Sequence, residues 1–221
     1  MSRDAPGAAR AEPAALAAAP TTARRRAKAD RRASLLAEAA RLFARKGFDG
    51  VSLEDLGSAA GVSGPAVYRH FPSKQAVLAA LLVGASERLV EGGRSVVAAS
   101  PDDATALRSL IRFHVTFALA DPDVIRVQDR DLDTLAEADR RAVRALQRSY
   151  VEMWVATLVR LRPAVDPAEL RIRAHATFGL INSTPHSARS LPRARVGVLL
   201  EEMALASLGH AVPAPAQEPG R

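Results

Sequence analysis

Residues 52–74, SLEDLGSAAGVSGPAVYRHFPSK, encode two short helices, the tight turn between them and the start of a third. Ser52 is a good N-cap, and Asp55 stands three residues on, the spacing of a capping box. Leu53, Leu56, Gly57 and Ala60 recur at i, i+3, i+4 and i+7, one narrow helical face. Gly61 follows where a chain leaving a helix often needs positive φ. Ser63 is placed to cap the second helix, and Pro65 fits its first turn, where an N–H has no intrahelical partner. Val67 and Phe71 lie four apart and point inward, leaving Pro65, Ala66, Tyr68, Arg69 and His70 largely outward. Pro72 stops that helix and Ser73 caps the next. Two helices joined by a short Gly-containing turn form the helix-turn-helix pattern, whose second helix enters the DNA major groove.

The run LLAEAARLFARKGFDGVSLEDLGSAAGVSGPAVYRHFPSKQAVLAALL carries the turn, the Tyr-x-His-Phe string and the Ser-Lys pair at one characteristic spacing. Residues 31–91 resemble the DNA-binding domain of TetR-family (tetracycline-repressor-like) transcriptional regulators. The resemblance covers only the first third of the folded chain. It implies that Ser63, Tyr68, His70 and Lys74 hold DNA phosphates, while Gly64, Pro65, Ala66 and Arg69 face base edges. Side-chain chemistry agrees with that division. Tyr and Lys donate to phosphate oxygens without reading sequence. Arg69 suits a bidentate bond to guanine, and Pro65 and Ala66 suit a thymine methyl. Ser52 is expected to combine a phosphate contact with its N-cap role. The plainer alternatives are that Tyr68 and His70 close the small core and that Arg69 is a solvated charge.

On either side of this unit the chain is helical. A first helix is expected over about Asp30–Lys46, with Leu35, Leu36, Ala39, Leu42 and Phe43 on one face and Gly47 ending it. A long helix from Ser73 to about Val97 carries Val77, Leu78, Leu81, Leu82, Ala85 and Leu89 inward, with Gly92 and Gly93 weakening its end. In the family resembled, this helix joins the DNA-reading head to a sensing body. Further helices are expected from Asp102, from Asp121-Pro122, over about Glu137–Leu161, from Asp166-Pro167 and after Pro192. No segment alternates like a hairpin strand. The fold class is therefore all-α: a three-helix helix-turn-helix domain over 30–75, then a helical ligand-binding and dimerisation domain over 76–211.

The 221 residues suffice for one mid-sized core or two small ones. With no cysteine there is neither a disulfide framework nor a thiolate site, which suits a reducing cytoplasm. The longest apolar run falls far short of the ~20 residues of a bilayer span, so no membrane partner is expected. Pro13, Pro20, Asp4 and Glu12 also argue against a secretory leader. The formal net charge of +7 favours an anionic partner. Much of it is N-terminal, since residues 1–33 hold eight Lys/Arg against three Asp/Glu. Segments 1–29 and 212–221 are expected to be disordered. The cluster Arg24, Arg25, Arg26, Lys28, Arg31 and Arg32 reads either as a basic arm on DNA or as a solvated tail.

The body offers a looser constellation of Phe113, His114, Phe117, Tyr150, Met153, Trp154, His175, Phe178, Asn182 and His186. It reads either as a pocket for a small apolar or amphipathic effector or as ordinary core. His114 and His175 lack a second ligand at i+3 or i+4, so no metal site is expected, and no cofactor. Ile181–Ser187, INSTPHS, sets polar residues around Pro185, as a pocket's polar end or simply a helix terminus. Arg126 and Arg130 in IRVQDRDL suit a carboxylate or coenzyme A phosphate, as acyl-CoA-sensing members of the family would require. Equally they pair with Asp129, Asp131 and Asp133. The resemblance further implies homodimerisation through the last two long helices, about 166–185 and 192–208, and a double-stranded operator with two half-sites. The expected function is a ligand-responsive repressor. The alternatives are a DNA-binding module without small-molecule response and an enzyme bearing a helix-turn-helix head. No paired carboxylates, nucleophile-base set or phosphate loop supports the last.

Overall fold

The computed structural model describes residues 19–187 and 190–209, with side chains from residue 23 onward. Among these residues the protein is all-α, as its periodicities require. The head comprises α1 (Ala19–Lys46), α2 (Leu53–Ala59) and α3 (Gly64–Tyr68). The body comprises α4 (Lys74–Ala98), α5 (Asp103–Ala120), α6 (Pro122–Asp131), α7 (Glu137–Leu161), α8 (Pro167–Ile181), α9 (Thr184–Ser187) and α10 (Arg193–Ser207), with a 3₁₀ turn at Leu132–Thr134. No described helix is long and apolar enough to cross a membrane.

Local chemistry sets several of these boundaries. Ser73 accepts from Ala76 N at 3.1 Å, Asp102 from Thr105 N at 2.7 Å and Asp166 from Ala168 N at 2.7 Å, each occupying a free N–H of a helix start. Gly47 and Gly61 take φ of +80° and +65°, so they end α1 and begin the α2–α3 turn at low steric cost. The expected hydroxyl cap at Ser63 is not formed: its backbone has N-cap geometry, but its side chain makes no capping bond.

Two expectations are corrected. Helix α1 begins at Ala19, so residues 19–29 are helical where a disordered tail is expected from composition. Ala and Arg are strong helix formers, and here they extend a helix already nucleated by its buried Leu35–Phe43 face. Residues 1–18 and 210–221 lie outside the described residues. Gly92 and Gly93 do not weaken the end of α4; the helix runs through both to Ala98. A Cβ on Gly92 would lie 2.2 Å from Phe113 Cζ, and one on Gly93 would lie 2.7 Å from Tyr150 Cε2. These two residues let α5 and α7 approach the α4 backbone, and the cost in helix propensity is offset by that packing.

Two apolar cores result. One is built on Leu35, Phe43, Leu56, Val67, Phe71 and the first half of α4, and it continues into the body through Val124, Val127 and Val143. The other joins α5, α7, α8 and α10 around Leu110, Trp154, Leu158, Leu170 and Leu200. Helix α4 contributes to both, and α6 divides its buried side between them: Val124 and Val127 to the first, Ile125 to the second.

Candidate nucleic-acid interface and effector cleft

The outer surface of the head is built on a five-residue helix. Val67 is fully buried, and Gly57 opposite it has room for no Cβ without touching Val62 O and Val67 Cγ2, both at 3.0 Å. That close approach holds α3 against α2. Ser63, Pro65, Tyr68 and Arg69 are exposed, and Gly64 is half-buried. Ala66, by contrast, is only 7% exposed, which corrects its placement among residues facing base edges. Ala27, Lys28 and Arg31 of α1 border one cleft with Ala66, Arg69 and His70.

That cleft is strongly basic. His70 is half-buried, and its Nδ1 has no hydrogen-bond partner. Burial, then the neighbouring cations Lys28, Arg31, Arg69 and Arg32, holds its imidazolium form down. A neutral imidazole among cations is free to donate to an anion without adding a charge of its own. Arg32 is tied back, its guanidinium 4.9 Å from the Phe71 ring centroid. Lys74 is partly committed as well: Nζ donates to Phe48 O at 2.8 Å and sits 4.3 Å from the Phe48 centroid. Two of its three N–H groups remain. Ser52 has none to spare, since its N–H and its hydroxyl both donate to Asp55 Oδ2 at 2.8 Å. The second leg of this capping box is the Asp55 N–H, donating to Ser52 Oγ at 3.0 Å. Ser52 thus forms the expected N-cap of α2 and stands exposed at its start.

In the body, a cleft of about 230 Å³ opens between α4 and α8. Its walls are Ser86 and Leu89 of α4, His114 of α5, Gln128 of α6, Leu146, Gln147, Tyr150 and Val151 of α7, and His175, Phe178 and Asn182 of α8. His114, Tyr150, His175, Phe178 and Asn182, singled out from sequence, thus come together. Trp154 lies behind them, fully buried, with its ring 4.8 Å from Phe178 and 6.1 Å from His114. The other four residues of the constellation lie elsewhere, Met153 beside Gly93. Phe113 packs on Gly92, Phe117 packs toward the first core with Arg88 above its ring, and His186 is exposed on α9. Sequence reasoning missed Gln128 and Gln147, which have no aromatic signature, and placed Leu89 only on the inward face of its helix.

The polar chemistry of the cleft is unusual. His114 Nε2 lies 3.2 Å from Asn182 Oδ1, and the ring is stacked on Tyr150 at 5.6 Å. Burial depresses the His114 pKa to about 4, with the Asn182 contact opposing, so the ring is neutral at pH 7. Burial likewise raises the Tyr150 phenol far above its ordinary value. Among the described residues His114 Nδ1 has no partner, and Tyr150 Oη has none but the Trp154 N–H that faces it, which leaves the phenol O–H free to donate. Among the described residues no Asp, Glu, Lys or Arg borders the cleft.

The two arginines considered for an anionic ligand are engaged elsewhere. Arg126 donates to Pro185 O at 2.9 Å and pairs with Asp123. Arg130 donates to Phe43 O, and to Ala44 O at 3.5 Å, while its Nε donates to Asp131 at 3.0 Å. It thereby caps the C-terminal carbonyls of α1 from the body. Among the described residues no group of three or more His, Asp or Glu gathers as a metal site would require. On the outer faces of α8 and α10, Ile172, Val198 and Met203 are exposed, as is Leu191 just before α10.

Comparison with known proteins agrees with this architecture. Residues 35–81 match the bacterial regulatory proteins of the tetR family, and residues 100–186 match the tetracyclin repressor-like C-terminal domain. The chain is 30% identical over 155 residues to the HTH-type transcriptional regulator CymR of Pseudomonas putida, covering 66% of this chain and 76% of that protein. It is 42% identical over 74 residues to the HTH-type transcriptional regulator EthR of Mycolicibacterium smegmatis, an alignment spanning about a third (34%) of each. Among solved structures, a TetR-family regulator from Bordetella parapertussis superposes with a TM-score of 0.72 at 26% identity, over 84% of this chain and 98% of that one.

Proposed function

The chain belongs to the TetR family of bacterial transcriptional regulators, and from that premise we propose that it represses by binding a palindromic operator as a homodimer and releases it when a small molecule fills the α4–α8 cleft. The observation that carries the switching part is the position of α6. Gln128 of this helix borders the cleft, its Val124 and Val127 belong to the core shared with the head, and its Arg130 caps α1. A ligand that moves α6 therefore acts on the head through contacts already made. It can shift the DNA-competent population only by its difference in affinity for the two states, about 5.5 kcal/mol for a full 1:99 to 99:1 reversal.

For DNA, the proposed contacts are Ser63, Tyr68, His70 and Lys74 on phosphates, with Gly64, Pro65 and Arg69 toward bases. The basic cleft adds Lys28 and Arg31 to the phosphate set. A head this small makes few base contacts, so specificity calls for two copies about 34–36 Å or a multiple of that apart. The exposed apolar faces of α8 and α10 are the surface proposed for pairing, and Gly179 leaves open space for close approach.

Selection of bound sequences from random duplexes, with sedimentation of the free protein, tests this proposal. The expected outcome is one inverted repeat and a dimer at micromolar concentration. Recovery of sequences with no common half-site, or a monomer on DNA and off it, defeats the reading.

A further inference from the structure

We propose that the α4–α8 cleft takes a compact, uncharged ligand carrying a hydroxyl on an apolar frame, and rejects carboxylates, ammonium compounds and coenzyme A thioesters. This rests on the reading of the cleft as the effector site and names the chemistry of its occupant.

Three observations carry it. The first is electrostatic. Among the described residues no Asp, Glu, Lys or Arg borders the cleft, and of its two histidines His114 is buried and neutral while His175 is exposed on α8. An ionised group buried there without a partner meets a desolvation cost that nothing repays. The arginines nearest in sequence that suit an anion, Arg126 and Arg130, are bonded to main-chain carbonyls and to Asp123 and Asp131. The second is size. At about 230 Å³ the cleft is smaller than the ~300 Å³ at which sites for drug-sized ligands begin, and a nucleotide-bearing thioester has no place in it.

The third is the set of unpartnered atoms. Asn182 Oδ1 only accepts, so the His114 nitrogen facing it at 3.2 Å carries the proton. Neutral His114 then presents Nδ1 as a bare acceptor, and Tyr150 keeps a free O–H. A ligand hydroxyl satisfies both, donating to His114 Nδ1 and accepting from Tyr150. A carboxylate offers no proton to His114, and an ammonium offers no lone pair to Tyr150. Phe178 packs on His114 and Tyr150 with ring centroids 5.1 and 5.7 Å away. It is only partly buried, and it is the cover whose rotation exposes the two atoms.

The chain has a single tryptophan, Trp154, packed directly behind Phe178, and its emission reports an occupant. The full-length protein is titrated at pH 7.5 with 4-methylcyclohexanol, 4-methylcyclohexanecarboxylate and 4-methylcyclohexylammonium, which share one frame. The alcohol is expected to give a saturable change at least about a hundredfold tighter than either ion, since less than ~1% of a carboxylic acid is neutral at that pH. Tyr150→Phe is expected to weaken the alcohol about tenfold, the loss of a buried hydrogen bond. Leu89→Phe, which fills the cleft, is expected to abolish the response. Equal or tighter binding of an ion, lost in Leu89→Phe, overturns the uncharged-ligand inference while the cleft stands as a site. Alcohol binding unchanged in both variants overturns the cleft itself. No saturable response to any of the three up to millimolar concentration overturns the inference about the ligand.

Discussion

His70 in the head and His114 in the body are both held toward the neutral form, and the difference between them separates the two surfaces proposed for recognition. His70 is half-buried, and after burial the causes are four cations, Lys28, Arg31, Arg69 and Arg32. His114 is shut among rings, where burial alone acts and the Asn182 contact opposes it. The first surface gathers positive charge at the solvent, where a polyanion can neutralise it and release counterions. The second excludes charge and leaves polar atoms without partners, so its gain on binding comes from desolvated apolar area and new hydrogen bonds. One is tuned by salt; the other by shape and protonation.

The largest expected effect concerns His114. Its unfolded value is near 6.5 and its folded value is about 4, so between these the unfolded chain takes up a proton that the folded one refuses. Stability from the neutral ring is complete above pH 6.5 and is lost as the pH falls toward 4. The loss reaches about 3 kcal/mol, order of magnitude, at 1.36 kcal/mol per unit. His114→Gln keeps a donor toward Asn182 and removes the titration. Urea unfolding midpoints at pH 7 and pH 4.5 are expected to differ less in this variant than in the wild type. An identical acid shift in both would assign the loss to carboxylates elsewhere.

The next effect lies on α3. Arg69 is exposed and reaches both the basic cleft and the outer face. Arg69→Ala is expected to cost about 1–3 kcal/mol on the selected operator and less on random duplex. Equal losses on both would make it a phosphate contact and move it to the salt-tuned class. Lys74→Ala is expected to weaken every duplex alike, and also to lower stability slightly, because Nζ holds the Phe48 carbonyl.

The head was legible from sequence because its signals are local. The capping box at Ser52–Asp55, the left-handed Gly61 and the inward pair Val67 and Phe71 act within a few residues of one another. Where the argument needed distant partners it failed. Composition read residues 19–29 as tail, although Ala and Arg carry high helix propensity and the helix already formed downstream extends through them. Gly92 and Gly93 looked like weak points because Phe113 and Tyr150, which press on them, lie on other helices. Aromatic spacing found five residues of the cleft but could not tell the wall from the layer behind it, where Trp154 sits. Gln128 and Gln147 gave no signal, since a lone glutamine on an amphipathic helix ordinarily faces water.

The smallest effect tests whether the basic face of α1 belongs to the DNA surface. Arg31 borders the basic cleft and is one of the cations holding His70 neutral. If it meets a phosphate, Arg31→Ala removes one counterion-releasing contact per protomer. The slope of log Kd against log salt is then expected to fall by about one for each copy bound, with operator preference unchanged. The same substitution takes a positive charge from beside His70, so the imidazole pKa is expected to rise toward its ordinary value in the free protein, read by NMR titration. DNA should act in the same direction on the wild type, because phosphate oxygens offset the same cations. A rise in the His70 pKa on Arg31→Ala with no change in salt slope would leave the charge where the geometry puts it but remove the phosphate.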